Sequence, residues 1–438
     1  MANNRLFEAL TSYDPAEIER VFGDEYALEP PDPTITLAPV RRVAIIAEAF
    51  LPKVDGVSKT AFLTLRYLQQ TGREVMVFAP DTAPPAIGPS QIVALPSLGM
   101  PMAPETRMAL PSLSVPQLLD DFKPDLIHMF SPALLSVSGM LTAHRLGIPV
   151  IANYQTDLPG YSQHYGLQFF ANPLREWLRY VHNGCHLTLV PSNYTRQQLR
   201  EWGFHRLRIW GRGVNSQRFN PNHQSDEWRQ HLLNGRDSDS LICVYVGRLA
   251  NEKRVDLLLE VARMPGVALT IIGDGALRDE LETQFAGTGT YFAGYMFGDD
   301  LSQAFASADV FVFTGAAETF GQVVQEAMAS GLPSVVIDQG GVADLVIEGE
   351  TGYTCPADPQ AFAEAVRRLR DNPALRAQMA FKARQIAANR PWETIMNRLE
   401  GHYSEAMQLN ERLLRLYPLA DRFPTPLLSF FQRKDEHE

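Results

Sequence analysis

Short apolar runs alternate with longer segments of helical period along most of the chain. Val43-Ala44-Ile45-Ile46-Ala47 suits a buried parallel strand. Ser58 to Gln70 follows, with Phe62, Leu65 and Leu68 at helical spacing. Val75-Met76-Val77-Phe78, Asp125-Leu126-Ile127-His128, Pro149-Val150-Ile151-Ala152 and Leu187-Thr188-Leu189-Val190 read as further strands. A helix is predicted from Leu134 to Arg145, and Ser192 is placed to cap another. The pattern then breaks. Val214 to Ser240 is polar and rich in Asn, Asp and Ser, and reads as an irregular linker. It restarts at Leu241-Ile242-Cys243-Val244-Tyr245-Val246, with strand-like runs at 268–272, 310–313, 334–337 and 352–355. Strands alternating with helices predict α/β units with parallel sheets covered on both faces. The last long helix is predicted from Pro391 to Met407.

Two α/β units, joined near 214–240, follow from this pattern. The expected divisions are an extension at 1–40, a first Rossmann-like domain at 41–214, a second at 215–390, and a helical segment at 391–438 that packs back towards the first domain. Two such domains facing across a cleft hold their ligand between them, outside the C-terminal ends of the strands. The loops just after the strands should carry the chemistry.

Composition narrows the class. The chain has 438 residues, 45% hydrophobic and 20% charged, as in soluble globular proteins. No apolar run approaches the ~18–20 residues of a membrane span. The first residues lack a charged-then-apolar leader, so a cytoplasmic location is expected. Cys185, Cys243 and Cys355 are too scattered for a disulfide framework or a zinc site. The net charge of −11 conceals an asymmetry: residues 41–225 carry 17 Lys+Arg against 11 Asp+Glu. A basic half on an acidic chain suits phosphates, an acidic substrate or a membrane surface; scattered solvated charge is the alternative.

Four loops are candidates for chemistry. Glu318-Thr319-Phe320-Gly321-Gln322-Val323-Val324-Gln325-Glu326 follows a strand and enters a helix. Two carboxylates with free helix-start amides between them suit a ligand with hydroxyls at its ends and phosphate in its middle. An amphipathic helix with two exposed glutamates is the plain alternative. Gly247-Arg248-Leu249-Ala250-Asn251-Glu252-Lys253 places two cations after a buried strand, suited to a diphosphate. Gly56, in Pro52-Lys53-Val54-Asp55-Gly56-Val57-Ser58-Lys59, precedes a helix start and fits anion binding or a tight turn. Gly273-Asp274-Gly275 fits contact with a base or ribose, or a simple β-turn. His128 ends a strand and either lines the cleft or sits in the core. Asp237-Ser238-Asp239 has a metal-binding pattern but lies in the polar stretch, and no metal site is expected. No Walker-type loop, G-x-S-x-G or H-E-x-x-H occurs.

Taken in order, these motifs resemble glycosyltransferase family 4, retaining enzymes of the GT-B fold. The resemblance spans about residues 42–405. Within the family the chain is most similar to the lipid-glycosylating branch of sulfoquinovosyldiacylglycerol synthases and lipid α-mannosyltransferases. That similarity rests on 154–161, 187–192 and 209–215.

The resemblance implies a donor that is UDP- or GDP-linked, and no cofactor or metal. Glu326 would hold the ribose. Glu318 and the amides of Phe320 and Gly321 would hold the donor sugar. Arg248 and Lys253 would neutralise the leaving diphosphate, and the Gly56 amide would touch phosphate from the opposite domain. Gly273, Asp274 and Val324 would complete the donor site, and Asp157 joins the catalytic set. The branch usually has histidine where this chain has Gln155. Glutamine exchanges hydrogen bonds but carries no charge. The implied acceptor is a lipid or a sugar, reached by peripheral contact with an anionic membrane, and no nucleic acid is involved. Tyr165, Phe169, Phe170, Trp177 and Tyr180, with Arg175 and Arg179, would shape a lipid-facing wall; core packing is the alternative. A nucleotide-sugar epimerase of the same fold, or a non-catalytic nucleotide-sugar receptor, would share the nucleotide site.

Overall fold

The computed structural model describes residues 33–51, 56–100, 103–160 and 168–416, together with Leu28 and Pro31. Eight strands form the first sheet: β1 (Arg42–Ala47), β2 (Glu74–Pro80), β3 (Ala86–Ile87), β4 (Ser90–Leu95), β7 (Leu126–Phe130), β8 (Val150–Asn153), β9 (Leu187–Val190) and β10 (Leu207–Ile209). Their order is β10-β9-β8-β7-β1-β2-β4-β3, parallel except for β3. The ribbon β5 (Ser97–Met100) and β6 (Ala103–Ala109) stands beside it. The second sheet contains β11 (Leu241–Val246), β12 (Val267–Ile272), β13 (Tyr291–Gly294), β14 (Val310–Phe313), β15 (Ser334–Ile337) and β16 (Gly352–Cys355). Its order is β13-β12-β11-β14-β15-β16, all parallel. The strand order reverses between β1 and β7 in one sheet and between β11 and β14 in the other. Ligand crevices of open α/β sheets lie at such reversals.

The period of two along β1 explains how both faces of the first sheet are covered. Val43, Ile45 and Ala47 join a core with Phe62, Leu65 and the C-terminal helix. Ala44 and Ile46 join the opposite core, with Val115, Leu119, Leu135 and Met140. The second domain has one core that surrounds its sheet. All three cysteines are buried within these cores.

The stretch 214–240 is more regular than its composition suggests. Asp226–Leu233 is a helix; Ser225 caps it, accepting from the Trp228 amide, and Asp226 and Glu227 occupy the first turn. Leu232 and Leu233 are buried in the second core. The metal-like pair is a turn instead: Asp237 accepts from the Asp239 amide at 3.0 Å.

The chain crosses between the domains twice at one place. The Val214 amide donates to Arg390 O at 2.9 Å. A Cβ on Gly213 would lie 2.4 Å from Trp392 Cα, so only glycine lets the crossings touch. The final helix, Trp392–Leu416, runs nine residues beyond its expected end. Trp392, Ile395, Met396, Leu399, Tyr403 and Ala406 form its buried stripe and belong to a first-domain core. Arg73 and Glu400, each 3% exposed, pair beneath it at 2.6 Å.

His128 lies under this helix and does not line the cleft. It is fully buried, with Nδ1 2.9 Å from the Tyr403 hydroxyl and Nε2 3.1 Å from Asn153 Oδ1. Burial lowers its pKa to about 4, so the ring is neutral near pH 7. Among the described residues, no helix is long and apolar enough to cross a membrane.

Candidate active site

The second domain contributes a group of charges at the C-terminal ends of β11 and β14. Lys253 closes the 3₁₀ turn Asn251–Lys253 after β11. Its carbonyl accepts from the Thr314 hydroxyl at 2.7 Å, which ties that turn to the end of β14. Its Nζ donates to Glu318 and lies 5.7 Å from the Phe313 ring centroid. Arg248 pairs with the fully buried Glu252 at 2.8 Å and leaves about half its own side chain exposed. Burial alone would raise the Glu318 carboxyl. The Lys253 ammonium, by charge and hydrogen bond, with Arg248 and Arg212, instead holds it below the ordinary carboxylate range. The stability from this pairing is therefore complete above pH 4.5 and is lost only as pH falls through the depressed value.

The helix Gln322–Ala329 starts beside these charges. Gly321 is its N-cap at φ 89°, and a Cβ there would lie 2.4 Å from Val342 Cγ1. Among the described residues, the amides of Phe320 and Gly321 have no acceptor. They lie at the positive end of the helix, where an anion or a sugar hydroxyl would be held. Val324 does not belong to this surface. Its side chain is wholly buried in the core and its amide donates to Gly321 O. Glu326, one turn further in, is buried and faces Lys59 of the first domain at 3.8 Å.

The first domain closes the cleft from the other side. Gly56 begins the helix Gly56–Gln70, and its carbonyl accepts from Arg212 Nη1 at 2.7 Å. Residues 52–55 lie outside the described residues. Gln155, 9% exposed, is anchored across the cleft: its carbonyl accepts from the Thr319 hydroxyl at 2.7 Å. The Thr319 carbonyl accepts in turn from the Thr195 hydroxyl at 3.2 Å. Gln155 Oε1 is buried and has no partner among the described residues, an acceptor available to a hydroxyl or water. Asp157 accepts from the Tyr154 hydroxyl at 3.3 Å and from the Gly160 amide at 3.0 Å, which fixes its turn.

Gly273 and Asp274 have a structural task. The loops after β11 and β12 lie back to back, with the Leu249 amide donating to Asp274 O at 2.9 Å. A Cβ on Gly273 would lie 2.0 Å from Gly247 O. The Asp274 carboxylate accepts from the Gly275 amide at 2.7 Å and pairs with Arg278 at 3.4 Å.

Lys59, Thr319 and Arg212 lie within the loops and stretches that the sequence pattern marks but receive no role from it, and Thr195 and the pair Gly340-Gly341 stand outside the marked loops. The Gly341 amide donates to Glu318 O at 2.6 Å, and a Cβ on Gly341 would lie 2.1 Å from Thr319 O. A double glycine just after a strand is a signal for such close approach. Lys59, by contrast, reads as one more charge on a helix until the second domain is set against it.

Comparisons with known proteins identify the family and the fold. Residues 54–218 match the family model Glycosyltransferase Family 4, and residues 226–386 match Glycosyl transferases group 1. A GDP-mannose-dependent alpha-mannosyltransferase of Mycobacterium tuberculosis (strain CDC 1551 / Oshkosh) is 38% identical over 83% of this chain and 96% of its own. The sulfoquinovosyl transferase SQD2 of Arabidopsis thaliana is 33% identical over 88% of this chain and 78% of its own. Among solved structures, sucrose-phosphate synthase from Thermosynechococcus elongatus superposes with a TM-score of 0.68 at 20% identity. That match covers 84% of this chain and 99% of the other, and the likeness is one of fold.

Proposed function

Because the chain belongs to glycosyltransferase family 4, with the GT-B fold and a nucleotide-sugar donor, we propose that it is a retaining mannosyltransferase that uses GDP-mannose and a lipid acceptor. The observation that carries this reading is the charge arrangement around Glu318 and Glu326. Each carboxylate suited to donor hydroxyls is matched by a cation suited to the diphosphate: Lys253 for Glu318, Lys59 for Glu326. The mannose choice draws on the relatives named for GDP-mannose, at 38%, 34% and 37% identity. A panel of GDP- and UDP-sugars in calorimetry tests it. GDP-mannose should bind and UDP-sugars should not, and preference for a UDP-sugar overturns the mannose assignment.

In this reading Glu326 accepts from the ribose hydroxyls, and Glu318 with the Phe320 and Gly321 amides holds the sugar. Lys253 and Arg248 meet the diphosphate. The acceptor oxygen bonds the anomeric carbon as the bond to the leaving phosphate oxygen breaks, on the same face. That phosphate oxygen takes the acceptor proton. The protein's part is positioning and charge stabilisation, without a covalent nucleophile or a metal. Glu326→Ala should weaken GDP binding by roughly 1.5–3 kcal/mol, the worth of a charged hydrogen-bond partner. Unchanged affinity in calorimetry removes Glu326 from the ribose site.

The acceptor reading draws on the helix Gln168–Asn183 of the first domain. Phe169, Trp177 and Tyr180 are 94%, 38% and 56% exposed, and their spacing puts them on one helical face. Trp177 and Tyr180 stack at 6.1 Å. Arg175 and Arg179 belong to the same helix, where both pair with Glu176 and Arg175 also covers the Trp202 ring at 5.7 Å; Tyr165 and the Phe170 side chain lie outside the described residues. Apolar insertion with basic flanks predicts vesicle binding that rises with anionic lipid and falls with salt. Sedimentation with vesicles checks this, and indifference to anionic vesicles at low salt contradicts the membrane contact.

A further inference from the structure

Lys59 sits in the first turn of the helix Gly56–Gln70 and is 7% exposed. Burying an ammonium is costly unless anions face it. Its Nζ lies 3.8 Å from Glu326 Oε1, across the cleft, and both side chains are about nine-tenths buried. That separation exceeds a hydrogen bond, so the attraction is one of charge without the directed contact that holds Arg73 to Glu400. The same turn carries Gly56, whose carbonyl holds Arg212 at 2.7 Å. Two cations, one of them buried on the first domain's helix, thus converge on a second-domain surface that already carries Lys253 and Arg248. Cations supplied from both sides of the cleft suit a ligand with two phosphates.

Resting on the family-4 reading of the same cleft, we propose that Lys59 is a donor-binding residue supplied by the first domain. It neutralises Glu326 in this structure and exchanges that carboxylate for diphosphate oxygens when ribose hydroxyls take Glu326. The exchange keeps every charge matched. It also makes the diphosphate a bridge between the domains, so that donor binding draws them together.

The test is Lys59→Met, which keeps the length and apolar stem of the side chain and removes its charge. Guanosine and GDP are titrated calorimetrically into wild type and variant. GDP affinity should fall at least about tenfold, equivalent to about 1.4 kcal/mol. Guanosine affinity should stay equal or rise, because Glu326 no longer has to leave Lys59. Lys59→Arg should restore most of the GDP affinity. Unchanged GDP binding in Lys59→Met overturns the proposal. So does an equal loss for guanosine and GDP, the mark of a purely structural lysine, as does a failure of Lys59→Arg to rescue. If wild type takes UDP and not GDP, the mannose reading falls, and uridine with UDP tests Lys59 in the same way.

Discussion

Lys253→Ala should lower kcat by roughly 10²–10³, the usual cost of removing one preorganised donor from developing charge, with a smaller change in donor KM. Three features of the site support so large an effect. Lys253 is buried, and its backbone is pinned by Thr314. Its ammonium is already oriented by Glu318. Charge on the leaving diphosphate grows towards the transition state, so the interaction strengthens as the bond breaks. The substitution also disturbs Glu318. Burial pushes that carboxyl up and Lys253 is the main influence holding it down, so its pKa should rise in the variant. The acid limb of the pH–rate profile should move to higher pH accordingly. Steady-state kinetics with saturating acceptor measures both effects. Full turnover in the variant would remove Lys253 from the chemistry.

Glu400→Ala should destabilise the protein by about 3–5 kcal/mol, the cost of leaving one member of a buried ion pair without its partner. Glu400 accepts from both Arg73 Nη atoms, at 2.9 and 2.6 Å, and from the Ala38 amide at 2.8 Å. Arg73 also reaches Val40 O and Thr71 Oγ1, but neither neutralises its charge. The pair lies between the first domain and the final helix, so its loss should loosen that helix from the β1 face. Replacing both members with apolar residues, Arg73→Met with Glu400→Leu, should recover much of the loss, since no charge is then stranded. Denaturant unfolding measures the difference. A loss below about 1 kcal/mol, the range of surface pairs, would contradict the buried setting.

The parts of the fold that were legible in the sequence are those written in local period. Runs such as 43–47 and 241–246 are apolar because both sheet faces are covered, and they appear as strands in the structure. The E-x7-E loop and the Gly-Arg…Glu-Lys loop were legible because they follow such runs directly. The helix Asp226–Leu233 was hidden by its brevity and by a polar surface, although Ser225 before two acidic residues is a capping signal. Local sequence leaves His128 open between cleft and core because its environment is made by Tyr403, 275 residues away. The resemblance implies Val324 in the donor site, yet the helix turns its side chain into the core. Lys59, Thr195 and Thr319 acquire meaning only when the two domains face each other, and no local spacing encodes that contact.

The central claim is transfer from a nucleotide sugar with retention. It is tested most directly by incubating the protein with GDP-mannose and diacylglycerol-type lipid in anionic vesicles, and following GDP release together with the anomeric configuration of the product. The account predicts GDP release that depends on acceptor and an α-linked mannolipid from the α-linked donor. A β-linked product would contradict retention. GDP release to water alone, or conversion of the sugar without GDP release, would contradict transfer itself.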